Sequence, residues 1–206
     1  MTLDYGLKET IMRKILNFVV SIFLCAGVLI APAGFAAEKY DVTASEIFNP
    51  FGILPGVPVV GQVLSPGTAK CPGYEPTGLP EQPCPAGSRT HLRDAVIVSQ
   101  VYSVDDRVTG SMTIVLNANW DADAAGPLWG TFILAVDSGG TWEGTWQGMR
   151  ERVAEDQWTG LLHVVGKGYG GVIDGMKMMV EDQLVSFTAA PLAYLGEIEG
   201  RIIDPN

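Results

Sequence analysis

The chain is predicted to be all-β: an antiparallel meander closed into a barrel of about eight strands, with a two-sheet β-sandwich as the alternative. Three observations predict it. From residue 90 onward, apolar and polar residues alternate in runs, as in Met112, Ile114 and Leu116 against Ser111, Thr113 and Asn117. After residue 50, no stretch repeats its apolar residues at the spacing of a helix, about 3.6, over three turns. The runs are separated by short turns, which join antiparallel neighbours, whereas parallel strands need long crossovers. Closure is favoured over a sandwich because the strands follow one another regularly and a closed sheet has no open edge.

The elements follow in chain order. Residues 37–56 read as an approach segment, with a helical turn or two expected over 41–48 before Asn49-Pro50 stops it. A short β-rich run covers 57–63, and a proline-rich loop covers 65–87. Strands are expected over 90–102, 108–119, 128–136 and 141–150. Asp105-Asp106, the acidic stretch 121–126 and Asp137-Ser138-Gly139-Gly140 supply the turns. Residues 157–165 and 172–180 flank a glycine-rich reversal at 166–171, and a last strand over 192–203 has a break expected at Gly196. Glycines at 130, 144, 148, 160 and 166 fall within strands, where they mark bulges and sharp coiling or leave room for a large side chain opposite.

Residues 1–36 have the form of a secretory signal. Arg13 and Lys14 precede an apolar run from Ile15 to Ile30, and small residues follow, with cleavage expected after Ala36 or Ala37. Met12 is the expected start. The alternative is an uncleaved anchor, but the run is short for a membrane span. Leu24 before Cys25 argues against lipid attachment there. The organisation is then a signal peptide over 1–36, an N-terminal segment and disulfide loop over 37–89, and the barrel core over 90–206. Export places the protein in the periplasm or outside the cell, with no stable membrane span in the mature form. There Cys71 and Cys84 are expected to bond rather than bind metal. The formal net charge of −10 repels phosphate backbones, so nucleic acid is not an expected partner.

The segment Val164-Val165-Gly166-Lys167-Gly168-Tyr169-Gly170-Gly171-Val172-Ile173-Asp174-Gly175 resembles the glycine-rich hairpin of allene oxide cyclase and dirigent-type barrels. The run from Gly140 to Gly148, with Trp142 and Trp146, resembles repeats of lipocalin-like secreted barrels. The resemblance implies an eight-stranded barrel whose interior holds one apolar ligand. It also implies, as an activity, epoxide cyclisation or the steering of radical coupling. No residue here matches those families' catalytic positions, so the fold carries over better than the activity.

Four constellations could carry chemistry. Trp142, Gly144, Trp146 and Gly148 share one strand face and are either core or the floor of a ligand pocket, with Trp129 or Trp158 nearby. A two-residue turn at Gly168-Tyr169 would set His163 opposite Asp174 for proton transfer, while a turn one residue later would set it opposite Met176. His91 and Arg93 share a face and, with Glu143, could bind a carboxylate or stand as ordinary rim charges. The stretch 119–126 is oxygen-rich but lacks the spacing of a calcium loop, and reads as a polar turn. No metal or cofactor is expected.

The expected function is therefore an exported β-barrel that holds a small apolar ligand against Trp142 and Trp146. The ligand-binding set is Trp142, Trp146, Trp129 and Arg93, and the catalytic candidates are His163, Asp174 and Glu143. A structural, envelope-associated domain with no pocket and a cyclase or isomerase are the alternatives. Pocket contents separate the three.

Overall fold

A computed structural model describes residues 37–72, 84, 87–187 and 193–205. The expected signal segment over 1–36, with Cys25, and most of the proline-rich loop lie outside these residues. The described chain forms β1 (Glu38–Phe48), β2 (Gln62–Ser65), β3 (Thr68–Lys70), β4 (Thr90–Tyr102), β5 (Gly110–Trp120), β6 (Gly126–Val136), β7 (Thr141–Ala154), β8 (Gln157–Tyr169), β9 (Lys177–Ser186) and β10 (Tyr194–Asp204). A 3-10 turn at Gly171–Ile173 joins β8 to β9. Among the described residues, no helix is long and apolar enough to cross a membrane. Cys71 and Cys84 form a disulfide.

Neighbours pair antiparallel in the order β1-β10-β9-β8-β7-β6-β5-β4, and β1 also pairs with β4, so eight strands close a ring. An even number of alternating strands lets the closing ladder be antiparallel too. That ladder is short: Ser45, Glu46 and Ile47 face Tyr102, Val101 and Gln100. Beyond it, β2 and β3 take up the rest of the same edge of β4. The edge is thereby covered along its length, which blocks pairing with another chain.

Period-two alternation fixes what the ring buries. In β5, Met112, Ile114, Leu116, Ala118 and Trp120 face inward, and the residues between them face outward. Even-numbered residues point inward on the ring strands except on most of β4. There a bulge between Leu92 and Ala95, with Asp94 at φ 55°, switches the parity and turns Ala95, Ile97, Ser99 and Val101 inward.

The mid-strand glycines do not mark the bulges. Register shifts fall at Val63/Ser65, Leu92/Ala95 and Arg152/Ala154. Gly144 and Gly166 instead lie against the Phe132 ring, which would stand 2.7 and 2.9 Å from a Cβ added at each. Gly130 makes the same room for Trp146. Missing side chains on one strand admit large rings from another.

Several local expectations are corrected. Residues 41–48 are strand, not helix. Val42, Glu46 and Phe48 alternate into the interior, and burial in the ring overrides local preference. The start of the 37–56 approach segment, as β1, thus supplies one wall of the ring. The reversal after β8 is wider than a glycine hairpin: Gly166 and Gly168 stay in β8, and residues 170–176 make the turn. β10 runs unbroken through Gly196, where a Cβ would lie 2.5 Å from Asp182 Oδ1.

One end of the ring is plugged. Trp142 is fully buried there and donates its indole N–H to the Arg107 carbonyl at 2.7 Å. Ile173 packs over Gly168, the partner of Trp142 on β8. The Arg107 guanidinium sits 3.9 Å from the Tyr40 ring centre and is held by Asp105 through bonds of 2.9 and 2.7 Å.

Candidate functional site

At the opposite end the interior is not filled. An apolar cavity of about 80 Å³ lies inside the ring, with Leu116, Leu128, Trp146, Leu162 and Leu184 among its walls. Trp120, Arg150, Trp158 and Ser186 line it toward the end of the ring. Gly160 faces the cavity from β8 and contributes no side chain. A Cβ built there would meet nothing closer than 3.6 Å. A second void of about 40 Å³ lies toward the plugged end and shares Met112, Phe132, Val164 and Asp182 with the first. Protein interiors leave few gaps larger than a water molecule, so the larger cavity is a feature to be explained.

Two polar clusters interrupt the apolar wall. The first is Glu46, Asp182, Tyr194 and Ser99, contributed by β1, β9, β10 and β4, all buried. The Tyr194 hydroxyl donates to Glu46 Oε1 at 2.5 Å. Burial holds the Glu46 carboxyl above its usual range, against the opposing influence of Asp182, Ser99 and Tyr194. Burial raises Asp182 further, and the neighbouring Glu46 adds to it through charge and hydrogen bonding. Burial, with Glu46 next, raises the Tyr194 phenol as well. Two adjacent carboxyls shut off from water cannot both ionise cheaply, so the pair retains a proton and titrates as a unit. Ser99 Oγ and Asp182 Oδ1 have no hydrogen-bond partner among the described residues.

The second cluster is built on Arg150, only 4% exposed. Its guanidinium lies 5.3 Å from the Trp120 ring centre and 5.0 Å from that of Trp158. It donates to Ser186 Oγ at 2.8 Å and to the Ala124 carbonyl at 3.3 Å. Burial pushes its pKa down to about 10. Stacking against indole faces and a serine acceptor offset part of the cost of holding this charge inside. The Trp158 indole donates to the Asp123 carbonyl at 2.7 Å, whereas Trp120 Nε1 has no acceptor among the described residues.

The residues singled out in the sequence divide differently from expectation. Trp146 lines the cavity, and its indole donates to the Thr131 carbonyl at 3.2 Å. Trp142 lines neither interior void, because it fills the plugged end. Trp129 and Arg93 do meet, at 5.0 Å, but on the outer face. Arg93 is committed there to the Leu92 and Ala118 carbonyls and to Asn119 Oδ1. His163 is paired in register with Glu181, not with Asp174, because the wide reversal shifts β9. His163 Nδ1 lies 3.3 Å from Glu181 Oε1, and both side chains are exposed. Asp174 is exposed and accepts from the Gly170 amide at 2.9 Å, closing the turn. Glu143 is exposed on the outer face, paired with Ile133 and Lys167. It stands level with Val98, away from His91 and Arg93 along β4.

The stretch 119–126 is a turn. Asp121 Oδ1 accepts from the amides of Asp123 and Ala125, and Asp123 pairs with Arg152 at 3.0 Å. Among the described residues, no group of three or more His, Cys, Asp or Glu side chains is placed to hold a metal ion.

Glu46, Asp182, Tyr194, Trp120 and Arg150 were not read as site residues. The signal for three of them was present. Glu46 follows Val42 and Ala44 on one strand face, Asp182 follows Met178 and Val180, and Arg150 follows Trp142 and Trp146. A charge in an apolar row of period two is a buried charge, and a buried charge asks for a reason.

The geometry defines a class: an antiparallel eight-stranded ring, plugged at one end, with a small apolar cavity and buried ionisable groups at the other. Comparison with protein-family models, with curated proteins and with solved structures found no match. The functional reading therefore comes from the cavity itself.

Proposed function

We propose that the protein is an exported binding protein that takes one small, largely apolar molecule into the cavity inside its ring. The observation that carries this reading is the unfilled apolar cavity, walled by Leu116, Leu128, Trp146, Leu162 and Leu184. A molecule entering it removes its own apolar surface and that of the walls from water, about 25 cal/mol per Å². The Cys71–Cys84 bridge supports a site of action outside the cytoplasm. A purely structural domain gains nothing from an inward glycine such as Gly160, whose missing side chain leaves the cavity open. A cyclase or isomerase reading would draw its proton source from Glu46 and Asp182, since His163, Asp174 and Glu143 are exposed.

Tryptophan emission tests the proposal, because Trp120, Trp146 and Trp158 line the cavity. Titration with 1-hexanol is expected to give a saturable change in the native protein. The change should be lost in Gly160→Leu, whose side chain occupies the space. No saturable change, or identical titrations for the two proteins, would overturn the reading.

A further inference from the structure

The cavity wall offers a specific chemistry, beyond apolar surface, toward the end of the ring opposite Trp142. Arg150 and Trp120 both line the cavity and both are more than nine-tenths buried. Arg150 is fixed by Ser186 Oγ and the Ala124 carbonyl, with Trp120 and Trp158 against it. Trp120 Nε1–H has no acceptor among the described residues. A buried indole N–H without a partner is a cost that an incoming acceptor removes. A guanidinium in low dielectric attracts an anion far more strongly than one in water does. The two groups together ask for an oxygen-rich anion.

Building on the cavity as a binding site, we propose that its ligand is a small apolar carboxylic acid, bound as the carboxylate, with Arg150 and Trp120 Nε1–H donating to the head group and the hydrocarbon reaching inward. The register supports this polarity. Arg150 is level with Gly160 and Leu184, and Asp182 lies one inward position deeper, level with Leu162. The carboxyl pair thus stands toward the hydrocarbon tail. Because the pair retains a proton, it does not set two negative charges against the ligand. The same guanidinium repels a protonated amine, which excludes the cationic counterpart.

The experiment compares hexanoate, 1-hexanol and hexylamine at neutral pH, by tryptophan emission and calorimetry. Hexanoate is expected to bind about tenfold more tightly than hexanol, or better, as a charge-assisted hydrogen bond requires. Hexylamine should bind more weakly than either. Arg150→Met should abolish the preference for hexanoate. Trp120→Phe keeps the ring and removes the N–H, and should weaken hexanoate severalfold. Hexanol binding as tightly as hexanoate to the unaltered protein overturns the carboxylate assignment and leaves the apolar-binding reading standing. Binding of none of the three removes both. The comparison on the unaltered protein decides the matter even if Arg150→Met does not fold.

Discussion

Gly144 and Gly160 occupy inward positions on adjacent strands and differ in what surrounds them. A Cβ at Gly144 would lie 2.0 Å from the Val165 carbonyl oxygen and 2.7 Å from the Phe132 ring. A Cβ at Gly160 has its nearest neighbour at 3.6 Å. Gly144→Ala must move backbone, and is expected to cost about 2–3 kcal/mol. Gly160→Ala meets no obstacle and removes the entropy penalty of glycine in a strand, for a gain of about 0.5 kcal/mol. Urea unfolding midpoints of the two variants should move in opposite directions from the parent. Asn49 shows the same dependence on surroundings. Fully buried after β1, it donates to the Leu54, Val57 and Pro58 carbonyls and accepts from the Leu54 amide, so one side chain organises the loop that leads to β2.

At the scale of elements, the weakest ladder of the ring is the one that closes it. β1 meets β4 only at residues 45–47, and Glu46 is the middle residue of that seam. Its carboxyl touches Tyr194 from β10 and Asp182 from β9, with Ser99 on β4 beside them. Below the seam the 103–109 loop spans the gap, with the Ser103 hydroxyl donating to the Thr43 carbonyl at 2.6 Å. Glu46 and Asp182 are both raised in the folded state, so folded protein holds protons that unfolded chain releases. Their stabilising contribution is complete below about pH 4, the unfolded carboxyl range, and is lost as pH rises through the folded values. Asp105 has the opposite sign. Its bond to Arg107 lowers it, so its contribution is present above the unfolded value and disappears in stronger acid. Urea midpoints measured from pH 3 to 8 are therefore expected to peak in mild acid and decline toward pH 8. Glu46→Gln should flatten the declining limb, and Asp105→Asn the acid limb. A decline unaltered in Glu46→Gln would show that the seam cluster does not govern it.

For the whole molecule, closure covers strand edges that would otherwise stand open. The outer face carries exposed Ile133, Leu161, Val165 and Met179 among charged neighbours, and the formal net charge is −10. Along β10 and at the seam of β4 the ring presents no open strand edge. β1 covers both by pairing with β10 along its length and with β4 at the seam. Removal of residues 37–48 is expected to leave β10 and part of β4 as open edges, to uncover the interior, and to give oligomers or aggregates by size-exclusion chromatography with light scattering. A soluble monomer with unchanged near-ultraviolet circular dichroism would mean that the remaining strands close without β1.

By itself the amino-acid sequence determined the all-β antiparallel class, the inward rows of β5, β6 and β7, and the pairing of Cys71 with Cys84. These depend on period-two alternation and on local cysteine and turn chemistry, which neighbours in the chain express. The tertiary structure decided which strand closes the ring, the register of β8 against β9, and the place of each tryptophan. A wide turn moved His163 from Asp174 to Glu181, and a bulge at Asp94 reversed the inward face of β4. The cavity and its two polar clusters belong to that second group, since Glu46 and Tyr194 meet across 148 residues of chain. Contacts of that separation are selected by how the whole sheet curls, and no local pattern encodes the curl.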